Sequence, residues 1–140
     1  MDILNTLLKA LLILQLLFIC YSDVRYRTIS NKLIITITIN TVALGFMMNH
    51  GVKIVIPFSA LLVGYIIFYF NLIGGGDVKL ITVLLFTLTT TQSLDFIFYT
   101  AIMGGVVMII GMLINRSDIQ QRGVPYAVAI STGFLMSFFS

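Results

Sequence analysis

The chain has 140 residues, of which 59% are hydrophobic and only 9% charged. Eight basic and five acidic side chains cannot cover a water-soluble domain, in which about a quarter of residues are charged, so lipid is expected to cover the rest. The net charge of +3 comes from basic residues scattered between apolar stretches, which argues against a nucleic-acid partner, while a lone Cys20 and a lone His50 exclude an internal disulfide and an ordinary zinc site.

The first apolar run, Ile3 to Cys20, opens with Asp2 and ends in Phe18-Ile19-Cys20. A cleaved signal opens with positive charge and ends in small residues, so this run is predicted to be a retained helix. Ile19 is likewise too large for the position ahead of a lipidated cysteine. A polar stretch, Tyr21 to Lys32, carries Asp23, Arg25, Arg27 and Asn31 before the second run, Leu33 to Met48. The third, Ile54 to Ile73, meets Gly74-Gly75-Gly76-Asp77. The fourth, Val78 to Thr91, is short and turns polar at Thr89-Thr90-Thr91-Gln92-Ser93; the fifth covers Leu94 to Ile114 and the sixth Val124 to Phe139. A bilayer core needs about 20 apolar residues per helix, so the sequence predicts an all-α, multi-pass membrane protein. Its single domain over residues 1–140 has about six transmembrane helices (3–20, 33–48, 54–73, 78–91, 94–114 and 124–139). Small residues at Gly64, Gly104, Gly105 and Gly111 are expected to let helices approach closely.

Orientation follows from the basic residues, which collect in short cytoplasmic loops. Arg25, Arg27, Lys32, Lys79, Arg116 and Arg122 fall in the loops after runs one, three and five, against Lys9 and Lys53 on the other side. This places the loops 21–32, 74–79 and 115–123 on the cytoplasmic face of the inner membrane and both termini outside.

Two of the five acids, Asp23 and Asp77, fall where an apolar run meets that face. Two carboxyls close together in a low dielectric do not both ionise easily, so one holds a proton while the other stays charged. Such a pair activates water: the charged member takes its proton and the protonated member polarises the scissile carbonyl. Gly74, Gly75 and Gly76 are predicted to form non-helical backbone lining a wet cavity, where an extended substrate lies against main chain without Cβ atoms. His50 is assigned to the opposite face, and Cys20 has no evident base beside it. Structural roles compete: Asp77 after glycine suits a helix cap, and Asp23 suits pairing with Arg25 or Arg27. Asp95 is expected at an outer helix start and Asp118 in a solvated loop.

Asp23-x-Arg25-x-x-x-Ile29-x-Asn31 followed by Gly74-x-Gly76-Asp77-x-Lys79 resembles the paired motifs of the type IV prepilin peptidases, membrane aspartic proteases of the GxGD kind. Val124-Pro125-Tyr126-Ala127-Val128-Ala129-Ile130 is similar to the Pro-Tyr segment of the small members that serve tight-adherence (Flp) pili, the TadV/CpaA-like group. The resemblance implies that Asp23 and Asp77 are the catalytic pair and that no cofactor is used. It implies as substrate a prepilin or prepilin-like protein, cut on the cytoplasmic side after its leader, typically following Gly. Lys79 and Arg25 would tune the acids and Asn31 would hold the loop. Larger members add a cytoplasmic region with cysteine pairs and methylate the new N-terminus; cleavage alone is implied here. A different class, a small transporter or channel subunit or a non-enzymatic assembly protein, also uses intramembrane acids, but these usually lie near mid-membrane rather than at one rim.

Overall fold

The computed structural model describes residues 2–26, 29–49, 54–70, 74–122 and 125–139. All the regular elements among them are helical: α1 (Asp2–Tyr26), α2 (Asn31–Asn49), α3 (Val55–Tyr69), α4 (Gly75–Leu84) with a 3-10 turn at Leu85–Thr87, α5 (Thr90–Arg122) and α6 (Tyr126–Phe138).

The core lies between α1, α2, α4 and α6, where Leu16, Ile19, Ile37, Leu84, Ile130 and Phe134 are buried. On α1 the buried positions are Leu12, Leu16, Ile19 and Asp23, a spacing of four, three and four that forms one stripe along the helix. Some polar residues of α1 and α2 turn inward as well, Asn40 and Thr41 among them. The Asn40 side-chain amide donates to the Leu8 carbonyl at 3.2 Å and to Gln15 Oε1 at 3.0 Å, which satisfies groups that lipid would leave unpaired.

The peripheral helices α3 and α5 are different. Pro57 is the buried residue of α3, and on α5 Ile97, Phe98, Ile102, Ile109, Leu113 and Ile114 are all exposed. The spans Ile3–Tyr26 and Thr90–Ser117 are long and apolar enough to cross a membrane, and exposed apolar surface on this scale needs a partner or lipid to cover it.

Several helix ends differ from the sequence expectations, each for a local reason. α1 continues through Asp23 to Tyr26, with Arg25 in its last turn, where a cation complements the carbonyl end. The fourth helix ends early, and the polar Thr89–Ser93 stretch opens α5 instead of closing α4. Thr89 Oγ1 accepts from the Gln92 N–H at 3.2 Å while the Thr89 N–H donates to Gln92 Oε1 at 3.1 Å, a reciprocal capping box. Asp95 therefore lies inside α5 and does not cap it. Residues 116–122, expected in a loop, remain helical, with a break only at Asn115 (φ −149°, ψ 79°).

The glycine expectations divide in the same way. A Cβ at Gly64 would meet Val78 Cγ1 at 2.7 Å, whereas Gly105 has nothing within 4 Å and Gly104 only Tyr126 at 3.9 Å. Among the glycines described, the tightest crossing is at Gly133, where a Cβ would collide with the Thr100 side chain and lie 2.8 Å from its backbone nitrogen.

Candidate active site

Asp77 occupies the third position of α4, ahead of the apolar run that begins at Val78. The cap residue is Gly74, in extended conformation (φ −77°, ψ 150°) and without a side chain to cap with. The Asp77 carboxyl reaches back to the Gly74 backbone, which is half of a capping box. Asp77 is thus not the cap itself. Burial pushes its carboxyl from the ordinary 3.8 up to about 7, the charge of Asp23 adds to the rise, and the Gly74 backbone hydrogen bond opposes it. Near neutral pH this group holds its proton about half the time.

Asp23 lies on the buried stripe of α1 with only 6% of its surface exposed. Its Oδ2 accepts the Ala127 N–H at 3.0 Å. Ala127 is the second residue of α6, and N–H groups of a first helical turn have no partner within the helix. A carboxylate at this positive end is favourably placed. Asp23 and Asp77 are near enough to interact electrostatically, with α6 packed against both of their helices.

Of the three glycines expected in non-helical backbone, only Gly74 is non-helical. Gly75 and Gly76 begin α4, which costs no hydrogen bond because first-turn N–H groups are orphaned in any case. A Cβ at Gly76 would be crowded, 3.1 Å from Ile29 Cβ, whereas one at Gly75 would make ordinary contact, 3.5 Å from the Phe68 ring. Beside this turn a cleft of about 260 Å³ is lined by Leu61, Tyr65, Phe68, Gly75, Val78 and Lys79.

The expected supporting residues take separate places. Lys79 Nζ donates to Asn31 Oδ1 at 3.1 Å, so the pair ties α4 to the start of α2, itself capped by Ser30 through the Lys32 N–H at 3.2 Å. Arg25 is exposed and donates from Nε to the Tyr26 hydroxyl at 3.3 Å. Arg27 and His50, and the side chain of Asp118, lie outside the described residues.

Sequence reasoning missed the contribution of α6. Cys20 is one turn before Asp23, and its thiol points to the Ala127 carbonyl at 3.8 Å, so both polar backbone groups of Ala127 meet α1. The available signal was Pro125, since proline often marks a helix start and a helix start collects anions. Among the described residues, no three His, Cys, Asp or Glu side chains gather as a metal site would require.

No curated protein and no solved structure matches the chain. The family model of the type IV leader peptidases matches residues 10–109, a stretch that includes both Asp23 and Asp77. With most of its length so matched, the chain belongs to the type IV leader peptidase family.

Proposed function

We propose that the chain is a membrane aspartic endopeptidase that removes the leader from prepilins or prepilin-like proteins at the cytoplasmic face of the inner membrane, with Asp23 and Asp77 as its catalytic pair. The observation that carries this reading is the asymmetry of the two acids. Asp77 is raised to about 7 by burial and by Asp23, while Asp23 accepts an N–H from the start of α6. Pairs whose surroundings differ in this way divide into an acid and a base.

Asp23, as carboxylate, takes a proton from water as the water oxygen bonds to the scissile carbonyl carbon. Asp77 gives its proton to the carbonyl oxygen, so no bare oxyanion forms in a low dielectric. The tetrahedral intermediate then collapses: its C–N bond breaks, the proton held by Asp23 passes to the leaving amine, and the gem-diol returns a proton to Asp77. Water is consumed, and a carboxyl and an amine are released. The cleft beside Gly75 is the proposed seat of substrate residues flanking the bond.

In this reading all six helices belong to one membrane unit, the three basic segments 21–32, 74–79 and 115–123 face the cytoplasm, and the substrate is a prepilin of a tight-adherence pilus. Asp23→Asn and Asp77→Asn, each shown to accumulate in the membrane like wild type, are expected to abolish the mobility shift of a co-expressed prepilin. Asp95→Asn is expected to retain it. Normal cleavage by a well-inserted Asp23→Asn or Asp77→Asn protein would return the chain to the transporter or assembly class.

A further inference from the structure

We infer that the first turn of α6 is a positioning element of the active site, in which the Ala127 N–H sets the plane of the Asp23 carboxylate and the Cys20 thiol holds the carbonyl side of the same residue. The inference rests on the endopeptidase reading and adds an element beyond residues 10–109, the stretch matched to the family.

Cys20 and Asp23 are three residues apart on α1, a spacing that puts both on one helix face. They grip one residue from two sides, with Ala127 N to Asp23 Oδ2 at 3.0 Å and Cys20 Sγ to Ala127 O at 3.8 Å. Ala127 has no exposed surface, so water cannot replace either contact. Pro125, buried just ahead of the helix, has a fixed φ and no N–H, and it starts α6 where the second residue's N–H meets Asp23. Breaking this bond would orphan the buried Ala127 N–H and remove a charge-assisted contact from Asp23, a loss larger than that of an exposed pair. The contact therefore holds one orientation of Asp23 against the alternatives. A base held in one orientation matters to the chemical step, because small displacements of reacting groups cost rate.

The test is an amide-to-ester exchange in the full-length protein, Ala127→lactic acid, which deletes the N–H and leaves the side chain unchanged. Cleavage of a co-reconstituted prepilin is measured per folded enzyme. The kcat is expected to fall about tenfold to a hundredfold with KM nearly unchanged, and Ala127→Gly, which keeps the donor, falls far less. A folded ester protein with wild-type kcat overturns the inference. If the ester protein does not accumulate, the other side of the grip decides: Cys20→Ala lowers kcat and Cys20→Ser, which restores a donor, recovers it, whereas wild-type kcat in both overturns the inference. The two readings fail separately. A wild-type chain that cuts no prepilin ends the endopeptidase reading and this one with it, whereas an active wild type insensitive to these changes ends only this one.

Discussion

At the scale of single residues, the proposed chemistry turns on Asp77 and its glycines. Because the folded-state carboxyl is raised to about 7, its proton is present below that pH and lost above it. Cleavage should therefore decline as pH rises through about 7, approaching tenfold per unit, if Asp77 acts as the acid; a flat rate–pH profile up to pH 9 would remove it from that role. The same shift acts on stability. A carboxyl raised on folding contributes most below its unfolded value near 3.8, and that contribution is lost as pH climbs through about 7. Thermal unfolding in detergent should show wild type weakening across this window and Asp77→Asn much less so. Gly76 makes a different demand, since a Cβ there would crowd Ile29 at 3.1 Å. Gly76→Ala is expected to lower cleavage by pressing the α4 start against the α1–α2 connection, at a cost of about 1–3 kcal/mol. Adding Ile29→Ala should recover much of the loss. If the double variant is as poor as Gly76→Ala alone, the crowding explanation is wrong.

Helix pairing is decided by where small residues meet backbone. Gly133 sits against Thr100 so closely that a Cβ would lie 2.8 Å from the Thr100 nitrogen, whereas a Cβ at Gly105 meets nothing within 4 Å. Gly133→Ala should force α5 and α6 apart and destabilise the protein by about 1–3 kcal/mol. Gly105→Ala should be neutral or gain up to about 1 kcal/mol from helix propensity. Melting temperatures of the two variants in one detergent test this, and equal shifts would mean that the α5–α6 crossing is not set at Gly133. In the proposed mechanism the pairing also concerns function, because α6 carries the N–H that meets Asp23. A spread crossing should therefore lower cleavage as well as stability.

Across the described residues, a core centred on α1, α2, α4 and α6 and joined by Phe96 of α5 holds the two acids, while most of α3 and α5 presents apolar surface outward. The proposed orientation puts Ser30, between α1 and α2, and Ser117, in the last turns of α5, on the cytoplasmic side. Single cysteines at these positions, measured against the Cys20 background, should react with an impermeant reagent only after the inner membrane is opened. Labelling from the periplasm in intact membranes would reverse the topology and separate the acids from a cytoplasmic leader.

The sequence by itself determined that the chain exposes much apolar surface, because thirteen charged residues among 140 leave most of its surface apolar in any arrangement, and the apolar runs read as helices. The same scarcity of charge made Asp23 and Asp77 stand out, and the paired motifs pointed to the family. What it left open was which face of each helix turns inward, because a helix apolar all round shows no phase to periodicity. On α1 that phase is set by packing, which buries Leu12, Leu16, Ile19 and Asp23 together. Only the tertiary structure brought Ala127 to Asp23 across 104 residues. The partner is a backbone N–H, which every residue but proline possesses, so no side-chain pattern encodes it. Likewise the glycine triplet had the composition of a loop, yet two of its members begin a helix. A first helical turn needs no internal partner for its N–H groups, and at Gly76 a Cβ would be crowded by Ile29, a neighbour that the fold alone supplies.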